Sequence, residues 1–219
     1  MRNITMPGNA ILLLEGGSLR GLYTAGVLDT FMENDIYFPA VAGVSAGTLN
    51  AMNYVAHQPG RAASINLRYR HDGRYFGPKA ALRGGSLFGL NFMLHDVKKE
   101  VPFDEEAFAN GGMRLIAVAT NVKTGKPAYF EKGKTDFDFN EAARASASLP
   151  LASVPVMLDG QPYLDGGCSC PIALNWALQQ GFEKIVVVAT RQKGFRKTQP
   201  GQRMVDLYDD FYGDQPLFL

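Results

Sequence analysis

Histidine and cysteine are scarce in this sequence, with three of one and two of the other among 219 residues. The cysteines, Cys168 and Cys170, stand one residue apart. That spacing is awkward for a disulfide, and two thiols make no disulfide framework. His57, His71 and His95 show no paired-ligand spacing, so no metal site is expected and the cysteines are expected to be reduced structural thiols. Charge of one sign is also lacking. Lys plus Arg number 22 against 21 for Asp plus Glu. A chain so balanced lacks the field of a dedicated nucleic-acid binder, and no nucleic-acid partner is expected. No apolar run approaches the roughly 18 residues of a spanning helix. Met1 to Ala10 lack the apolar core of a signal peptide. The expectation is a soluble, cytoplasmic protein, and the length suits one domain over residues 1–219.

Glycine is plentiful, with 24 residues clustered between apolar segments. Ala10 to Leu14 and Ala40 to Val44 are short continuous apolar runs, as in strands buried on both faces. Leu115 to Thr120 and Ile185 to Thr190 are further β-branched strands. Leu22, Ala25, Leu28 and Met32 recur at helical spacing from Gly21 to about Asn34. Thr48 to Ala56, Asn140 to Ser148 and Ile172 to Gly181 also read as helices, and Pro155 to Leu164 as a hairpin turning at Asp159-Gly160. Strands alternating with helices predict an α/β fold with a largely parallel sheet and helices on both faces.

Two strand-to-helix turns carry the candidate chemistry. Gly43-Val44-Ser45-Ala46-Gly47 is G-x-S-x-G between a strand and a helix, the context of a nucleophile elbow. Gly43 and Gly47 remove side chains that would clash in so tight a turn, which pushes Ser45 out beside a helix N-terminus. A plain glycine turn with an incidental serine is the bland alternative. A nucleophilic serine needs a base. No histidine follows His95, and none of the three is well placed, so a Ser-His-Asp triad is not expected. Asp165, in Tyr163-Leu164-Asp165-Gly166-Gly167, is the carboxylate alternative, although alone it also reads as a turn residue. An aspartate of ordinary pKa is a weak base, so the role demands desolvation and strong stabilisation of the oxyanion. Glu15-Gly16-Gly17-Ser18-Leu19-Arg20-Gly21 can supply the latter. It fits neither the dinucleotide nor the P-loop pattern, but small residues at a helix start turn several N–H groups into one concavity. Arg20 is either a loop anchor and source of charge or a surface residue of the first turn.

Taken together, Gly16 to Gly21, Gly43 to Gly47 and Asp165 to Gly167, in that order, resemble the patatin-like phospholipase family, whose patterns are G-G-G-x-R/K-G, G-x-S-x-G and D-G-G/A. Ala145-Ser146-Ala147-Ser148-Leu149-Pro150 is similar to its A-S-x-x-x-P segment. The resemblance runs from about Ile11 to Lys197 and is closest to the bacterial cytoplasmic members. It implies a three-layer α/β/α fold, a Ser45–Asp165 dyad, and an oxyanion hole from Gly16, Gly17, Ser18, Arg20 and Gly21. Gly43, Gly47, Gly166 and Gly167 would support the elbow and the dyad loop. It implies hydrolysis of lipid acyl esters of (lyso)phospholipids, with no cofactor and no metal. The alternatives are a non-catalytic lipid- or protein-binding relative of the same fold and, more remotely, a nucleotide- or phosphate-binding protein using the glycine nest.

Three departures from the family pattern stand out. Ser18 takes the place of a third glycine, and Cys170 that of an aspartate. The chain also ends soon after Arg203, where relatives continue with more helices. A sheet face left bare by that shortening would favour a homo-oligomer. Leu207, Phe211 and Tyr212 lie in a helical stretch before the apolar end Pro216-Leu217-Phe218-Leu219. Arg61, Arg68, Arg70, Arg74, Lys79 and Arg83 face a single Asp72, and read as a solvated face in preference to a patch for a membrane surface. Leu82 to Leu94 fits either a flap over an acyl channel or packing beneath a loop.

Overall fold

The computed structural model describes residues 6–196 and 201–213, so the apolar end at 216–219 lies outside the described residues. The apolar runs form strands β1 (Ala10–Leu14), β2 (Ala40–Val44), β3 (Arg114–Asn121), β4 (Pro127–Glu131), β5 (Val156–Leu158), β6 (Gln161–Asp165) and β7 (Lys184–Val188). They build one sheet in the order β5-β6-β3-β2-β1-β7, with β4 also paired to β3. The four strands β3, β2, β1 and β7 run parallel, whereas β4 and β6 are antiparallel to β3.

The helices are α1 (Gly21–Glu33), α2 (Ala46–Val55), α3 (Arg61–Tyr69), α4 (Pro78–Gly84), α5 (Leu90–Leu94), α6 (Glu105–Asn110), α7 (Phe139–Ser146), α8 (Leu174–Gln179) and α9 (Gln202–Tyr212). Successive side chains of a strand face opposite sides, and the core divides accordingly. Leu12, Leu14, Val41, Leu115 and Ala117 pack with α1, α2 and α7 on one face. Ile11, Leu13, Val44, Ile116 and Val118 pack with Ala173, Ala177 and Phe182 on the other. This is the α/β/α sandwich expected from the sequence. Among the described residues no helix is long and apolar enough to cross a membrane.

One feature of the sheet positions everything that follows. β4 occupies one edge of β3 from Ile116 to Thr120. β2 must therefore use the other edge, along Arg114 to Val118, and β6 continues on that same edge at Ala119 to Asn121. The two strands run towards each other. Val44 lies opposite Val118 and Asp165 lies opposite the next residue, Ala119. The residue after Val44 is Ser45.

The hairpin forms as read, with Asp159 (φ 48°) and Gly160 (φ 71°) both left-handed, as a two-residue turn requires. The helix expected from Thr48 begins two residues earlier, at Ala46, so Ser45 is its immediate cap. The basic stretch is not one surface. Arg68, Arg70, Lys79 and Arg83 are exposed, Arg74 pairs with Asp72 and Glu100 at 2.7 and 2.9 Å, and Arg61 is buried.

Candidate active site

Ser45 is a non-glycine residue held at φ 55°, ψ −124°. Such a conformation is costly and persists only where its surroundings impose it. They do so here by close approach. A Cβ on Gly43 would lie 2.5 Å from the Thr48 nitrogen, and one on Gly47 would lie 2.4 Å from the Leu14 carbonyl oxygen. The Ser45 N–H donates to the Ser146 hydroxyl oxygen at 2.9 Å. Ser146, fully buried at the end of α7, donates its own proton to the Val118 carbonyl at 2.6 Å. The Thr48 hydroxyl, 2.9 Å from the same oxygen, is left as a donor to it.

Asp165 ends β6 and is 3% exposed. Its N–H donates to the Ser148 carbonyl at 2.7 Å, and its carbonyl accepts from the Thr120 hydroxyl at 2.8 Å. Segment 146–148 therefore holds the backbone on both sides of the site. One carboxylate oxygen, Oδ1, accepts from the Gly167 N–H at 2.7 Å. The other, Oδ2, is buried without a hydrogen-bond partner of normal length among the described residues. Burial pushes the Asp165 pKa up to about 6, against the opposing pull of the nearby Ser45 hydroxyl and the Gly167 N–H. The carboxylate thus gains basicity while staying ionised near neutrality. Gly166 lets β6 end against β3, because a Cβ there would lie 2.2 Å from the Val118 oxygen.

The glycine loop is tied down from β7's side. The Glu15 carboxylate accepts from the Thr190 N–H, and the Thr190 hydroxyl lies 2.7 Å from the Gly16 carbonyl and 3.1 Å from Glu15. A Cβ on Gly17 would collide with that hydroxyl at 2.6 Å, and one on Gly16 would lie 3.0 Å from the Ser45 Cβ. Ser18 has φ 51° and opens a single 3₁₀ turn over Ser18–Arg20. Within it the Arg20 N–H donates to the Gly17 carbonyl, and the Gly21 N–H turns back on Ser18 and Leu19. The N–H groups of Gly16, Gly17 and Ser18 meet no acceptor among the described residues. The sequence grouping of five residues therefore divides. Gly16, Gly17 and Ser18 offer donors. Gly21 serves by its missing side chain, 3.0 Å from the Ala46 Cβ. Arg20 is exposed and does not line the adjoining cavity, because the 3₁₀ turn places it on the outer side.

A cavity of about 100 Å³ begins at Ser18, Gly21 and Ser45 and follows α2 past Leu49 and Met52. The 82–94 segment combines both readings made of it. Leu90, Phe92 and Leu94 are core residues, while Phe88, Leu90 and Met93 form a wall of the cavity. His57, His71 and His95 are all exposed and none lines it. Cys168 and Cys170 are half-buried and form no disulfide. Ser146, Thr190 and Arg61 were not singled out as functional from the sequence. Ser146 lay within the A-S-A-S segment, a signal of place but not of role.

Comparison with known proteins accords with this architecture. Residues 12–176 match the model of the patatin-like phospholipases. The chain belongs to that family. It is 33% identical over 189 residues to the uncharacterized protein YjjU of Escherichia coli K12, covering 84% of this chain and 52% of YjjU. It is 29% identical over 180 residues to a cGAMP-activated phospholipase of Pseudomonas aeruginosa, covering 74% of this chain and 53% of the relative. A probable lipid hydrolase of Invertebrate iridescent virus 6 is 24% identical over 172 residues, covering 71% and 59% respectively. The chain spans little more than half the length of these curated relatives.

Proposed function

We propose that the chain is a serine acyl hydrolase that cleaves fatty-acyl esters of phospholipids or lysophospholipids at a cytoplasmic membrane surface. The observation that supports this most is that Val44, the residue before Ser45, and Asp165 lie at successive positions along one edge of β3. In this reading Ser45 Oγ attacks the ester carbonyl while the Asp165 carboxylate takes its proton. The oxyanion is held by the N–H groups of Gly17 and Ser18, each such donor being worth on the order of 10²–10³ in rate. Collapse expels the alcohol, which recovers the proton from Asp165. Water, deprotonated by Asp165, then attacks the acyl-serine, and collapse releases the fatty acid while the Ser45 oxygen takes the proton back from Asp165. The apolar cavity takes the acyl chain, and the names borne by two of the relatives fit such a substrate.

Fluorophosphonate labelling tests the nucleophile. The expected outcome is one label on Ser45 and none in Ser45→Ala, together with loss of p-nitrophenyl ester hydrolysis in both Ser45→Ala and Asp165→Asn. Turnover like the parent's in folded Asp165→Asn rules out the dyad, and an unlabelled, inactive parent protein favours a lipid-binding relative without catalysis.

A further inference from the structure

Arg61 departs from the basic stretch to which it belongs. It is only 9% exposed and lines the cavity that begins at Ser45. Its guanidinium donates to three acceptors, all neutral. They are Asn53 Oδ1 at 2.8 Å, the Pro102 carbonyl at 2.9 Å and the Val101 carbonyl at 2.9 Å. A guanidinium has five N–H groups, so two remain. The carboxylate whose field reaches it, Glu105, is already engaged by Lys98 at 2.6 Å, and Lys98 lines the same cavity. Burial lowers the Arg61 pKa to about 10, which leaves the cation intact at neutral pH.

The positions follow the helix. Ser45 immediately precedes α2, and Asn53, which holds Arg61, lies eight residues along it. At 1.5 Å per residue that is about 12 Å. Leu49 and Met52 share the intervening face of α2, and Ile65, Leu90 and Met93 complete an apolar passage. The guanidinium also lies over the Phe103 ring, 4.9 Å from its centroid, but the Glu105 carboxylate is shared with Lys98, so a plain hydrocarbon chain would bring no charge to the cation at its end.

Building on the acyl-hydrolase reading, we propose that Arg61 is a specificity-determining anchor, and that the preferred substrate is an acyl ester carrying a second, anionic group at the far end of the cavity. A carboxylate or a phosphate fits the fork of the guanidinium equally. The length of the passage selects the carboxylate, carried at the end of the acyl chain, because a phosphate on the alcohol stays within a few bonds of the ester and on its other side.

The test uses substrate pairs that differ only in charge. One pair is the p-nitrophenyl half-ester of sebacic acid and its methyl-capped diester. The other is a lysophosphatidate and the monoacylglycerol of the same chain. The parent protein is expected to favour the anionic member of the first pair by about tenfold or more in kcat/KM, and to show a smaller preference in the second. Arg61→Gln is expected to reduce that ratio about tenfold, towards one. A role confined to clamping the 101–102 turn would slow both members alike and leave the ratio unmoved. A parent ratio of one in the first pair, a preference confined to the second, or a ratio unchanged in Arg61→Gln, overturns the anchor while the hydrolase reading stands. If Arg61→Gln does not fold, the parent ratios and their decline with added salt decide. Absence of turnover on every ester overturns both readings together.

Discussion

Asp165 occupies a place that works against folding. A carboxylate whose pKa rises to about 6 on burial is less comfortable charged in the folded chain than in the unfolded one. Between pH 4 and 6 the folded protein therefore binds more protons than the unfolded, and stability falls as pH rises through that window. The gap from the ordinary 3.8 is worth about 3 kcal/mol above pH 6. Asp165→Asn is expected to raise the thermal midpoint at pH 7 and to change it little at pH 4, which calorimetry at the two pH values can check. Activity is expected to follow the opposite sign, because in the proposed dyad the carboxylate is the working form. The rate of ester hydrolysis is expected to fall as pH drops through about 6, with circular dichroism unchanged. A rate that rises on acidification contradicts the assignment. Ser18 is strained in a simpler way. Its φ of 51° is a left-handed conformation, costing a residue with a Cβ about 1–2 kcal/mol, and its hydroxyl has no hydrogen-bond partner among the described residues. Ser18→Gly is expected to relax the loop and raise kcat/KM several-fold on a short-chain ester. A tenfold loss would mean that the hydroxyl assists the oxyanion.

At the scale of elements, the end of α7 is the part on which most converges. Ser146 receives the Ser45 N–H and binds Val118, while two residues later the Ser148 carbonyl receives the Asp165 N–H. Ser146→Ala would leave a buried N–H and a buried carbonyl without partners, at about 1–3 kcal/mol for each. The expectation is a lowered denaturation midpoint and a larger fall in kcat than rise in KM, read from urea melts and steady-state kinetics. A stable variant with kcat of the parent would remove α7 from the account. Little of this was legible in advance. The buried strands, the Ser45 elbow and the Asp159-Gly160 turn are local patterns, and the sequence displays them. The approach of Asp165 to Ser45 is not local, because it depends on β6 sharing an edge of β3 with β2. Helix α3 was hidden for a different reason. Ala62, Ile65 and Tyr69 form its buried stripe, but the surrounding arginines invite a reading by charge alone. Strand β4 is half-buried throughout, begins at a proline and holds an apolar run of only three residues, Ala128-Tyr129-Phe130.

For the molecule as a whole, the strand order of the sheet ends among the described residues in two edge strands, β5 and β7. β5 is a three-residue strand of a hairpin, whereas β7 is longer and carries Val186 and Val187, 39% and 40% exposed. An apolar edge strand invites pairing with another chain. Val187→Lys is expected to reduce any concentration-dependent association of the chain, measured by light scattering. An identical scattering profile in parent and variant would place self-association elsewhere. The shared edge of β3 has a wider consequence. Ser45 and Asp165 stand far apart in the sequence, yet their separation is counted out along one backbone, as on a ruler. Inserting a single alanine between Val118 and Ala119 would delete no functional group. It would nevertheless lengthen the ruler by about 3.3 Å and turn every later β3 side chain to the opposite face. The proposed hydrolysis should vanish although every residue assigned to it is still present.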